Sequence, residues 1–193
     1  MSNSPRTYIV TGGGGGIGGA TVLRLLKTGA NVLAIDISSR RMNEVKEAAA
    51  ALPGRMEMLK ADITQEAPAE HAIAHCLELF GDLHGIANVA GGMPDYVGTD
   101  MDRPLESISL DYFHRMFALN VDSAFLMSKA ATPHFKKKQY GKIVNVASLA
   151  ARVRSRGPIE EVRARNTGTV PGGSMITNRV RNVVESRVTS RRS

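Results

Sequence analysis

Residues 7–26 read TYIVTGGGGGIGGATVLRLL. A short β-branched run gives way to a segment in which seven of eight residues are glycine, and an apolar stripe of Ala20, Leu23 and Leu26 follows before Gly29. Strand, glycine turn and amphipathic helix in that order place flexible backbone at a helix N-terminus, where N–H groups can approach a pyrophosphate and the helix dipole favours negative charge. Five consecutive glycines satisfy G-x-G-x-x-G in more than one register. The flanking Thr11 and Ile17 select T-G-x-x-x-G-I-G, in which Gly12, Gly16 and Gly18 are the positions that matter.

Outward from this turn the chain alternates β-branched runs with helical patterns. TYIVTG, NVLAID, RMEMLKAD, GIANVAG and GKIVNVAS read as five strands. Between them lie Met42, Val45, Ala49 and Leu52 before Pro53-Gly54, then Ile73, Cys76, Leu77 and Phe80 before Gly81, both at helical spacing with glycine or proline as the stop. A longer helix is expected from about Asp111 to Lys138. Its cationic end HFKKK suits the negative pole of the dipole, as a solvated helix end rather than a nucleic-acid patch. Repeated βαβ units predict a doubly wound parallel sheet.

Asp36 ends the second strand, 18 residues after Gly18. A carboxylate there can accept hydrogen bonds from both ribose hydroxyls of an adenosine and repels a 2′-phosphate, which favours NAD over NADP. Arg40 and Arg41 follow closely and can offset that repulsion.

Composition divides the chain near Ser148. The net charge is +7, and residues 149–193 account for all of it with ten arginines against three glutamates. All eight lysines and every aromatic residue precede that point. The expected organisation is a dinucleotide-binding domain over residues 1–150 and an Arg-rich tail over 151–193. Within the tail, GPIEEVRAR and a face of Ile176, Val180, Val183, Val184 and Val188 give a weak helical pattern, read as irregular or partly helical. No run of about 18 apolar residues occurs and the first residues lack a signal-peptide core, so a cytoplasmic protein without a membrane span is expected. The lone Cys76 is expected to pack in the core, and no metal site is expected.

The glycine turn and Asp36, together with Asp62 in KADIT, NVAG at 88–91, Asn120 in ALNVDSAF and Ser148 in IVNVAS, resemble the short-chain dehydrogenase/reductase family over residues 7 to about 150. The resemblance implies a Rossmann-like sheet of order 3-2-1-4-5, with the family's last strands missing. It implies that Thr11, Gly12, Gly16, Ile17, Gly18 and Asp36 hold the cofactor, that Asp62 contacts the adenine amino group and that Ile63 lies against the ring. Asn88, Ala90 and Gly91 would bind the sheet together and line the nicotinamide ribose. Val89 stands where the family has a second asparagine.

The resemblance also gives Asn120 a proton-relay water and Ser148 the substrate oxygen. Asn120 shares a helical stripe with Phe113, Phe117, Ala124 and Ser128, so its amide is expected on the core-facing side, where a purely structural hydrogen bond is an equal alternative. Ser148 lies at the carboxyl end of the fifth strand, the edge where open parallel sheets bind ligands, and can instead be a simple helix cap.

The family's general acid is a tyrosine four residues before a lysine, on the helix after the fifth strand. Here the last tyrosine is Tyr140 and the last lysine Lys142. An impaired NAD-dependent oxidoreductase for a secondary alcohol or ketone is therefore expected. A non-catalytic dinucleotide- or partner-binding protein is the second reading, and anionic-polymer or membrane binding through the tail the third. The helix from about Asp111 resembles a family dimer interface, which suggests a homo-oligomer. The compositional join suggests that residues after about Ala151 derive from another reading frame or exon.

Overall fold

The structure, a computed structural model, describes residues 4–93 and 105–148. Five parallel strands form one sheet in the order β3-β2-β1-β4-β5: β1 Thr7–Thr11, β2 Asn31–Asp36, β3 Arg55–Lys60, β4 Gly85–Asn88 and β5 Lys142–Asn145. Three helices make the crossovers, α1 Gly16–Leu26, α2 Ser39–Ala48 and α3 Glu66–Phe80. After β4 come a short 3-10 turn at Leu105–Ser107, α4 Leu110–Phe117, a π-helical turn Ala118–Asp122 and α5 Ser123–Lys138. The expected strand order and doubly wound class are both found.

Strand alternation explains the two-sided core. In β1 and β2, Ile9, Leu33 and Ile35 face one side and meet Ile73 and Cys76 of α3 and Met127, Ala131 and Phe135 of α5. Val10, Val32 and Ala34 face the other and meet Val22 and Leu26 of α1 and Met42 of α2. Successive side chains of a strand point to opposite faces, so a central strand covered on both reads as a continuous apolar run. Cys76 lies fully inside the first layer, where burial, with a smaller contribution from Asp82, pushes its thiol up to about 12. Such a thiol stays protonated and inert at neutral pH.

Three boundaries differ from the sequence reading. β3 and β5 stop short of Asp62 and Ser148. β4 stops at Asn88 because the next two N–H groups, of Val89 and Ala90, turn to the Thr11 hydroxyl. β5 ends level with it, Asn88 opposite Asn145.

The long helix is interrupted by the π-turn, and the upstream part of the face expected inward points out, while Ala124 and Ser128 stay half-buried beside Asn88. Phe113 and Phe117 are about half exposed and Asn120 is exposed, while Ser123, Met127, Ala131 and Phe135 form the buried stripe of α5. A π-turn holds more residues per turn than an α-helix, so a stripe counted at 3.6 loses its phase across it. Two of the three terminal lysines are solvated as expected, but Lys138 pairs with Asp82 and lies over the Tyr140 ring.

Asp82 joins the carboxyl end of α5 to the start of β4. It meets Lys138, His134 Nε2 at 3.1 Å and His84 Nε2 at 3.6 Å, while His84 Nδ1 accepts the Thr7 N–H at 3.0 Å. Burial, then Lys138, lowers the pKa of His84 below its ordinary 6.5. Burial opposes ionisation of Asp82, but Lys138, the Leu83 N–H and His134 together hold it below 3.8.

Both shifts act in one direction. Below about pH 6.5 the unfolded chain binds a proton that folded His84 resists, and at lower pH the same holds for Asp82, so stability falls on acidification. Urea midpoints measured from pH 7.5 to 5 should decline, and His84→Gln, which can still accept from Thr7, should flatten the decline. Equal slopes for the two proteins would remove His84 from the account.

Candidate functional site

Parallel pairing brings the carboxyl ends of the strands to one edge: Thr11 lies opposite Ile35 and Asn88, and Asn88 opposite Asn145. The glycine turn leaves β1 there. Gly12 takes φ +64°, the left-handed region that glycine enters without penalty, and its carbonyl accepts the Gly15 N–H at 2.9 Å. A Cβ on Gly18 would stand 2.0 Å from the Gly12 oxygen, so helix and turn touch through bare backbone.

Gly16 differs, since a Cβ there would meet nothing within 4 Å. The N-cap residue Gly15 supplies no side-chain cap and the first turn of α1 holds no acidic residue. Gly16 is thus open to its surroundings at a helix N-terminus that no side chain of its own caps, and the first-turn N–H groups and the positive pole of the dipole at such a terminus suit an anion.

Asp36 is 7% exposed and anchors the turn from β2. Its Oδ2 accepts the Gly14 N–H at 3.1 Å, and its Oδ1 accepts the Ser38 N–H at 2.9 Å and meets Arg41 Nη2 at 3.4 Å. Arg40 instead pairs with Glu44 on the surface. Sequence alone could not separate the two arginines; α2, capped by Ser38, turns one toward the strand end and the other away.

Thr11 is 1% exposed, and its hydroxyl oxygen accepts both the Val89 and the Ala90 N–H at 3.0 Å. Asn88 donates from Nδ2 to Asn145 Oδ1 at 2.8 Å, Ser128 Oγ at 3.3 Å and the Ala124 carbonyl at 3.4 Å, tying β4 to β5 and α5. Its buried Oδ1 has no partner among the described residues. The sequence names Ser128 only as a member of the Asn120 stripe and does not single out Asn145, although an asparagine inside the apolar run KIVNV is a visible signal.

Asn120, in the π-turn, grips the loop after β4. Its Oδ1 accepts the Gly92 N–H at 2.9 Å, and its Nδ2 donates to the Gly92 and Met116 carbonyls at 2.8 and 2.9 Å. Its amide is therefore committed to backbone beside Gly91, whose added Cβ would stand 3.0 Å from Asn120 Oδ1. Asn120 and Gly91 are thus brought together, at the surface and not in the core.

Asp62 and Ile63 follow β3 closely. Asp62 is exposed and its Oδ1 accepts from the backbone N–H and hydroxyl of Thr64, a local turn that leaves Oδ2 outside that turn. Ile63 is only 6% exposed and packs in the core with Ile35 and Ala69, so little of it is presented to a ring. Ser148 follows β5 by three residues on the same edge as Asn88, half-buried. The tail, its suggested helices and residues 94–104 lie outside the described residues.

Comparison with known proteins agrees with this geometry. A family model described as short chain dehydrogenase matches residues 6–159. A 2,5-dichloro-2,5-cyclohexadiene-1,4-diol dehydrogenase of Sphingobium indicum is 38% identical over 149 residues, 76% of this chain and 56% of its own. The 4-formylbenzenesulfonate dehydrogenase TsaC1/TsaC2 of Comamonas testosteroni is 30% identical over 148 residues, 77% of this chain and 56% of its own. A levodione reductase structure superposes with a TM-score of 0.72 at 28% identity, covering 86% of this chain and 62% of the other. The chain thus spans about half the length of the curated relatives it matches.

Proposed function

Because the chain belongs to the short-chain dehydrogenase family, a family of oxidoreductases built on a nicotinamide dinucleotide, we propose that it binds NAD(H) in preference to NADP(H) at the carboxyl edge of its sheet. The observation that carries this reading is the open space at Gly16 before an uncapped helix N-terminus. The group fits there: a pyrophosphate would take the first-turn N–H groups, and Asp36 would take the adenosine ribose. When bound, the cofactor supplies or accepts the hydride.

The chain's own residues do the positioning. A carboxylate offers about four acceptor positions, and Asp36 already fills three. Accepting two ribose hydroxyls requires one contact to yield, and the 3.4 Å contact from half-exposed Arg41 is the longest of them. Arg41, rather than Arg40, is then the cation nearest a 2′-phosphate. Asn88, Ala90 and Gly91 would line the nicotinamide ribose and Ser148 would hold the substrate oxygen, a secondary alcohol or ketone in the leading reading.

The second reading, dinucleotide binding without turnover, is favoured by the absence of a tyrosine or lysine after Lys142. Residues 1–150 serve as the binding domain in both, with 151–193 an appendage in a cytoplasmic protein. The exposed Phe113, Phe117, Val121 and Phe125 support assembly into a homo-oligomer.

Fluorescence titration tests the cofactor assignment. NADH should bind about tenfold or more tighter than NADPH, a difference of roughly 1.4 kcal/mol. Asp36→Asn should bring the ratio toward one, and Arg41→Ala should raise it by weakening NADPH. If neither nucleotide binds, the reading fails; if both bind equally in the wild type, only the preference for NAD fails.

A further inference from the structure

Two histidines on α3 take no part in the site described above. His71 and His75 stand four residues apart, their ring centroids 5.6 Å from each other and their planes 18° apart. The buried face of α3 is Ala69, Ala72, Ile73 and Cys76, so the pair lies on the side turned from the sheet, His71 exposed and His75 half-buried. Neither ring hydrogen-bonds to another group among the described residues, in contrast to His84 and His134, which both face Asp82.

Two imidazoles at i and i+4 on one helical face can address a common point, and that spacing is the one by which helical histidine pairs hold zinc. With metal–nitrogen distances of about 2.1 Å, the ring centroids would close to roughly 5 Å around a tetrahedral ion. That is a small movement from the observed separation. Rotation about χ2, a broad and soft torsion in histidine, is available to turn the ring nitrogens toward the ion.

We propose that His71 and His75 form a surface chelate for a late first-row divalent ion such as Ni(II), Cu(II) or Zn(II), contrary to the sequence expectation of no metal. Imidazole nitrogen suits these ions, whereas magnesium and calcium prefer oxygen ligands. No group of three or more ligating side chains occurs among the described residues, so the site has two protein ligands and leaves its other positions to water. Such a site binds reversibly and modestly. Its occupancy clamps one turn of α3, on the opposite side of that helix from the sheet.

Calorimetric titration of the untagged full chain with nickel chloride tests this. One saturable site is expected, reversed by EDTA, with a rise in Tm because the ion binds the folded helix. His71→Ala and His75→Ala should each weaken binding by at least about tenfold, since either leaves a single ligand without the partner's high effective concentration. His114→Ala should leave it unchanged. All three positions are at the surface or half-buried, and circular dichroism confirms that each variant folds. Saturable binding that survives His71→Ala and His75→Ala, or no saturable binding by the wild type, overturns the proposal.

Discussion

Gly18→Ala is expected to lower stability by about 3 kcal/mol and to abolish dinucleotide binding in the same protein, whereas Gly16→Ala, two residues away, separates the two effects. The added methyl at position 18 would stand 2.0 Å from the Gly12 oxygen and 2.7 Å from its carbon. Both are backbone atoms of a turn already pinned by the Gly15 N–H and by Asp36, so neither can move without undoing its own hydrogen bonds. Overpacking costs about 1–3 kcal/mol in ordinary cores, and a clash with fixed backbone falls at the upper end. The roughly 0.5–1 kcal/mol that alanine gains over glycine inside a helix does not offset it.

At Gly16 the methyl meets nothing, so stability should hold or rise by up to about 1 kcal/mol. As the first residue of α1, it should nevertheless weaken NADH about tenfold or more by holding the pyrophosphate away. Urea unfolding followed by circular dichroism, with NADH fluorescence on the same samples, distinguishes the two glycines. A Gly16→Ala protein that binds NADH as the wild type does would refute the role given to that space.

The second large effect is in turnover. This chain should bind NADH yet reduce ketones about 10²- to 10⁴-fold more slowly than family members carrying the tyrosine and lysine, because a positioned general acid is worth that much. Tyr140 and Lys142 cannot replace them. Lys142 pairs with Gly85 at the amino end of β4, and Tyr140 lies against His84 and Lys138 on the same side. From there to Ser148 is roughly 20 Å of extended chain at about 3.3 Å per residue. Arginines of the tail stay protonated at neutral pH and donate no proton. Steady-state NADH oxidation with a ketone panel decides the matter. A kcat/KM of about 10⁴ M⁻¹s⁻¹ or more, the ordinary enzymatic range, would show that another group supplies the proton.

The sheet was legible because each buried strand carried its β-branched run and each helix its stop, and strand order followed from the family pattern. Within the site, Thr11, Gly12, Gly18 and Asp36 could be picked out because turn chemistry leaves few residue choices. The contacts they make are a different matter. That Thr11 receives two N–H groups from β4, that Asn145 answers Asn88 and that Arg41 rather than Arg40 reaches Asp36 all depend on pairs 5 to 79 residues apart. Register and helix rotation decide such pairs, and no local pattern encodes either. Ile63 illustrates the converse: its place in a motif suggested a ligand contact, while its apolar side chain went to the core that α3 and β2 offered.

Asn120 lies away from the core for a different reason. The stripe through Phe113, Phe117 and Asn120 assumes a constant period, and Ala118–Asp122 does not keep it. The five-residue turn acts as a phase shifter between two halves of one rod. Downstream, Met127, Ala131 and Phe135 are committed to the core; upstream, Phe113 and Phe117 are half exposed and pack on each other outside it. Evolution can therefore exchange the outward aromatic residues, and with them whatever this face meets, without rotating a single core side chain.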